Sequence, residues 1–222
     1  MRLNTATVRS EAGILSTNKV LKNTYLLLSM TLLFSAGTAA AAMALDLPHP
    51  GLVITLVGYF GLLFLTTKFS HSAIGLVFVF ALTGFMGMTL GPVLNMYVHA
   101  FSNGHQLVLT ALGGTGVIFL GLSAYALTTR KDFSFMAGFL MVGVLVAFFA
   151  GIAGMLFAVP ALTLAVSAMF ILLMSGMILF QTSEIIHGGE TNYILATVSL
   201  YVSIFNLFTS LLQLLGVFGG EE

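Results

Sequence analysis

Residues 161–215 read ALTLAVSAMFILLMSGMILFQTSEII-HGGE-TNYILATVSLYVSIFNLFTSLLQLL. Two apolar runs, Ala161 to Ile186 and Thr191 to Leu215, are parted only by His187, Gly188, Gly189 and Glu190. A continuous apolar run of about 20 residues crosses a ~30 Å hydrocarbon core as a helix. Neither run alternates polar and apolar positions. Lipid leaves the backbone only helices and closed barrels, so both runs are read as helices. The glycine pair stops the first one. So short a link makes the two helices antiparallel neighbours.

The same pattern repeats toward the N-terminus. Further runs lie at about Thr24–Leu45, Gly51–Thr67, Ala73–Tyr97, Gln106–Thr128 and Met136–Phe157. They are separated by Pro48 and Pro50, by Lys68 and His71, by Ser102-Asn103-Gly104, by Arg130-Lys131-Asp132 and by Pro160. Prolines, turn residues and charges all interrupt membrane helices. The expectation is an all-α integral membrane protein with seven transmembrane helices. Residues 1–22 form a polar cytoplasmic tail, 23–216 the membrane domain and 217–222 a short C-terminal tail.

Composition supports this reading. Of 222 residues, 59% are apolar, and seven Lys/Arg balance seven Asp/Glu. A soluble domain has about a quarter of its residues charged. There is too little polar surface here for a soluble enzyme, and no basic face for nucleic acid. The lipid bilayer is the expected surrounding. With no cysteine, disulfides and thiol chemistry are excluded.

The basic residues orient the chain. Arg2, Arg9, Lys19 and Lys22 lie in the N-terminal tail, Lys68 follows span two, and Arg130 and Lys131 follow span four. All seven fall on one side of a seven-span topology. That places the N-terminus in the cytoplasm and the C-terminus in the periplasm of a bacterial inner membrane.

Helices in lipid pack through small residues and interhelical hydrogen bonds. Pairs four apart, Gly87/Gly91, Ala147/Gly151, Ala150/Gly154 and Ala36/Ala40, are expected at close helix contacts. Gly91-Pro92 inside span three is a candidate kink or local unwinding.

The residues that could carry chemistry are few. Glu184 is the one formal charge inside a span, and an intramembrane ionisable residue is a candidate functional group. Gln181, Glu184 and His187 recur every third residue on span six. Span seven carries Ser199, Ser203, Asn206, Ser210 and Gln213 at steps of four and three, a seam facing other helices. Gln181, Glu184, Ser203 and Asn206 form the candidate polar seam or gate. His187 and Glu190 are read as solvated loop residues. The five histidines are scattered without metal-ligand spacing, so no metal or cofactor is expected. No lysine follows Lys131, which excludes a retinal Schiff base, and no His-Glu-x-x-His occurs. No nucleophile–base pair sits mid-span, so an enzyme is not expected.

Several segments together resemble one family. They are residues 15–25, residues 84–95 with their Gly91-Pro92, residues 127–135, residues 187–193 and residues 199–208. In order and at these spans, they resemble the Bax inhibitor family of seven-helix membrane proteins, in its bacterial YccA-like branch. The resemblance implies a bundle with a central seventh helix. It implies binding and modulation of FtsH, a membrane AAA protease, and the tail with Arg2, Arg9, Lys19 and Lys22 is the candidate handle for such a protease. It also implies an alternative, a pH-sensitive leak for calcium or protons. Leak-type members use an acid in helix six and another in helix seven. Those positions are Gln181 and Ser203 here, and span two has no arginine to pair with such acids. Calcium seeks six to eight oxygens with carboxylates supplying charge, which Gln181 and Ser203 do not provide.

Overall fold

Each apolar run forms one helix. The computed structural model describes the backbone of residues 3–219 and side chains from residue 17. The helices are α1 (Leu3–Ala44), α2 (Leu52–Lys68), α3 (Ala73–Ala100), α4 (Gly104–Thr129), α5 (Ala137–Leu156), α6 (Pro160–His187) and α7 (Tyr193–Phe218). A single 3-10 turn, Ser134–Met136, precedes α5. Among the described residues there is no strand. Six helices are long and apolar enough to cross a membrane, and α2 is a shorter apolar helix of 17 residues. The chain is a multi-pass membrane bundle.

Local chemistry sets the boundaries. Pro48 and Pro50 cannot continue α1, and Gly51 takes the left-handed φ of 87° that starts α2. Pro160 opens α6, where its missing N–H costs nothing. Gly188 closes α6 at φ 77°, and the Glu184 carbonyl accepts from Gly189 N–H at 2.8 Å. Asn192 then caps α7, its Oδ1 accepting from Ile194 N–H at 2.9 Å. The Asn192 amide also donates to the Ser70 carbonyl at 3.0 Å, which ties the α2–α3 turn to the start of α7. His187 reaches the Arg130 carbonyl at 3.1 Å. Lys68, Arg130, Lys131 and the α6–α7 turn therefore share one end of the bundle, the basic end.

α1 begins well before the apolar run. It is helical from Leu3, so the polar stretch expected as a tail continues the axis of the span that follows. Lys19 and Lys22 are exposed on it. Arg2 and the Arg9 side chain lie outside the described residues.

α1 and α3 pack most intimately, and glycine is the reason. Gly87 rests on the Ser35 carbonyl and Thr38. A Cβ on Gly91 would stand 2.5 Å from the Ala42 Cβ and 2.8 Å from the Ala39 oxygen. Ala39 and Ala42 supply the facing side and are buried. The expected pair Ala36/Ala40 is exposed and does not make this contact, because it lies on the adjoining face of α1. α3 stays helical through Gly91-Pro92, without the local unwinding that this pair permits. On α5, Gly151 and Gly154 approach Val166 and Thr163 of α6 as expected.

α7 is the axis of the bundle and the most buried helix. It packs against α1, α3, α4 and α6. α2 rests on α3, and α5 on α6. The seventh helix is central, but four helices enclose it closely and two stand further out. Tyr201 locks one face: its hydroxyl bonds the Ser35 hydroxyl at 2.6 Å and donates to the Thr83 carbonyl at 3.3 Å. One phenol thus joins α7, α1 and α3.

Candidate functional site

The opposite face of α7 carries the polar stripe. Ser203 donates to the Gln181 side-chain oxygen at 3.1 Å and shares its hydrogen with the Ser199 carbonyl at 3.1 Å. Ten residues on, Ser167 of α6 donates to the Gln213 side-chain oxygen at 2.6 Å. The seam between α6 and α7 is stitched near both ends. Between these stitches Asn206 donates only to the Val202 carbonyl of its own helix, at 2.8 Å.

This stretch of seam faces a crevice, because α2 and α5 pack on different helices and leave a gap between them. A cavity of about 670 Å³ has Gln181, Ser199, Ser203 and Asn206 on its floor. A second, of about 560 Å³, continues toward Pro160 and Gln213, and both touch Asn206, Phe148 and Phe170. The walls are mainly aromatic, thioether and aliphatic side chains, with the hydroxyls of Thr55, Tyr59 and Thr89 among them. Phe60 of α2 meets Phe148 of α5 edge-on, with ring centres 6.1 Å apart, and this pair bridges the gap. Among the described residues, no carboxylate, lysine, arginine or histidine lines either cavity.

Three of the four candidate seam residues, Gln181, Ser203 and Asn206, therefore converge on one cavity. Glu184 does not line it. It is half-buried and folds against the α6–α7 turn, where a Cβ on Gly189 would come within 2.9 Å of its carboxyl carbon. Glu184 lies three residues from Gln181, and three residues fall about 60° short of a full helical turn. That rotation carries Glu184 off the cavity face.

The basic end holds a second polar cluster. The two ring nitrogens of His187 face the Ser183 carbonyl at 2.9 Å and the Arg130 carbonyl at 3.1 Å. The buried Ser183 hydroxyl accepts from Phe133 N–H at 3.0 Å and donates to the Lys131 carbonyl at 3.2 Å. His187 is exposed, as read from sequence, and also links the end of α6 to the α4–α5 loop. Glu190 accepts from Asn192 N–H at 2.7 Å. In the same loop, hydrogen bonds from the Ser134 hydroxyl and backbone hold the Asp132 carboxyl below the usual carboxylate range, and His187 adds to this.

Sequence reading missed Asn192, Tyr201 and Ser35. Each is a single polar residue whose partner is remote in the chain, so spacing carries no signal for it.

Gln181 and Ser203 occupy the two positions that the resemblance assigns to an acid pair, and they meet. A family model described as inhibitor of apoptosis-promoting Bax1 matches residues 17–220. The chain belongs to the Bax inhibitor family. A relative from Escherichia coli (strain K12), named modulator of FtsH protease YccA, is 57% identical over 204 residues, 92% of either chain. An uncharacterized protein of Pseudomonas aeruginosa is 54% identical over 203 residues, 91% of either chain. An uncharacterized membrane protein of Vibrio cholerae is 49% identical, covering 94% of this chain and 93% of its own. In this member of the family the seam is neutral: Gln181 and Ser203 supply oxygens and N–H or O–H donors, and neither titrates.

Proposed function

We propose that this chain is a bacterial inner-membrane regulator that binds an FtsH-type AAA protease and modulates it. The observation that carries this reading is the near full-length similarity to a relative named modulator of FtsH protease. The charge distribution fits it. With the basic end in the cytoplasm, α1 projects there from Leu3, on the side where such a protease would engage it. The helical N-terminal stretch is the handle, and Arg2, Arg9, Lys19 and Lys22 mark it.

Two measurements test the proposal. The full chain, affinity-tagged at its C-terminus, is expected to co-purify with the protease from solubilised membranes. Removing residues 2–16 is expected to lengthen its lifetime several-fold in cells that contain the protease, with no effect in cells that lack it. Failure to co-purify, together with the same lifetime with and without the protease, would overturn the proposal. Co-purification with an unchanged lifetime after truncation would leave the partnership standing and remove the handle.

A further inference from the structure

The crevice between α2 and α5 has the make-up of a binding pocket, and its floor defines what it would bind. The first cavity, about 670 Å³, falls in the range of ligand sites, which are mostly apolar with a few convergent polar groups. It lies deep in the membrane. Asn206 is about 18–20 Å from either end of α7 at the helical rise of 1.5 Å per residue.

Each amide on this floor makes one side-chain hydrogen bond. Gln181 accepts from Ser203 through its oxygen, and its NH₂ group has no partner among the described residues. Asn206 donates one of its two N–H groups to the Val202 carbonyl, and its oxygen has no partner among the described residues. The Ser199 hydroxyl stands exposed on the same floor with no side-chain bond of its own. The pocket thus presents free amide N–H groups of Gln181 and Asn206, the free Asn206 oxygen, the Ser199 hydroxyl and, in its wall, the Tyr59 phenol. At bilayer depth such groups are costly unless they find partners.

A ligand must match both the donor and the acceptor. A hydroxyl both donates and accepts. An ester or ketone can only accept, and leaves the Asn206 oxygen without a donor. A carboxylate is acceptor-only, would face the Asn206 oxygen, and would bring a charge into a pocket with no cation to pair it. The Phe and Met walls suit a long hydrocarbon chain, since thioethers and rings adapt to its shape. The gap closed by Phe60 and Phe148 opens sideways, where both helices carry exposed apolar residues, so the entrant comes from the lipid phase.

We infer that the α2–α5 crevice is a binding site for an uncharged long-chain lipid bearing a hydroxyl head, held by the Gln181 amide N–H and the Asn206 carbonyl oxygen. The inference is independent of any protease partnership.

The test uses the full chain in detergent and four probes of equal chain length: oleyl alcohol, methyl oleate, oleate and octadecene. Binding is read by native mass spectrometry. Oleyl alcohol is expected to bind one per chain, about tenfold tighter than methyl oleate or oleate, the effect of one hydrogen bond of about 1.4 kcal/mol. Asn206→Leu is expected to reduce the alcohol to the level of methyl oleate. Ser199→Phe, which fills the pocket, is expected to abolish binding of all four. Ala36→Leu, which projects into a separate apolar cavity of about 410 Å³ between α1 and α4, should leave this binding unchanged. Melting curves check that each variant is folded, and Ser199→Phe supplies the test should Asn206→Leu not fold. Equal binding of all four probes, or alcohol binding that survives Ser199→Phe, would overturn the assignment. Loss of alcohol binding in Ala36→Leu would do so as well, by moving the site elsewhere.

Discussion

The two faces of α7 are built by opposite rules. Toward α1 and α3, glycines bring those two backbones together and Tyr201 joins three helices through one hydroxyl, with a smaller apolar cavity of about 410 Å³ beside it toward α4. Toward α2 and α5, side chains are large, the hydrogen bonds run only to α6 or back to α7 itself, and a cavity remains. In water, burial of apolar surface would close such a gap. In lipid there is no such drive, because the hydrocarbon outside is as apolar as the walls. Close packing occurs where small residues allow it and stops where they end. The α1–α3 contact is therefore where added volume is expected to cost most, and the α2–α5 crevice is free to serve another purpose.

The sharpest way to break this contrast is to add volume on both faces. Gly87→Leu drives a side chain into the Ser35 backbone, and Gly91→Leu into Ala39 and Ala42. Either is expected to cost about 3 kcal/mol or more, since overpacking against backbone cannot relax. Ser199→Leu, on the open face, is expected to cost under about 0.5 kcal/mol. Reversible unfolding in mixed micelles measures both, and similar losses for the two faces would refute the contrast.

A smaller effect is expected from Tyr201→Phe. It leaves Ser35 and the Thr83 carbonyl without their shared partner and should cost about 1 kcal/mol. His187→Ala should act locally. Loss of the Arg130 contact frees the α4–α5 loop, and Phe133 N–H is expected to exchange severalfold faster with deuterium while α3 amides stay protected. The smallest effect concerns acid. The Asp132 carboxyl is held below its ordinary range by Ser134. Its ionised form is favoured by folding, so its contribution is present above the ordinary carboxylate pKa and fades as pH falls through the lowered value. Asp132→Asn should flatten the decline of melting temperature at acid pH slightly, and a steeper decline would contradict the assignment.

Much of this was legible in the sequence. Apart from the start of α1, every span boundary falls within a few residues of the expected one, because prolines, glycines and charges are unambiguous stops in a chain otherwise so apolar. Gln181, Ser203 and Asn206 were found by spacing, since a polar stripe is conspicuous on an apolar helix. The gap between α2 and α5 was not legible. A residue facing lipid and one facing a neighbouring helix obey the same hydropathy, so rotation about the helix axis leaves little trace. Ala36/Ala40 and Ala39/Ala42 look equivalent as spaced small residues, yet only the second pair is buried. Glu184 conveyed charge but not direction, and its carboxylate turned out to belong to the hairpin turn.

The unbroken course of α1 has a mechanical consequence. The helix runs without interruption from Leu3 to Ala44, and its far half is seated against Gly84, Gly87 and Gly91 of α3. A pull on the N-terminus is therefore directed along the axis of α1. It loads the tightest interface in shear, with all its contacts strained together instead of peeled one by one. Extraction under force is governed by the rate of that rupture. Whatever draws this chain out by its N-terminus meets the strongest resistance at the first span.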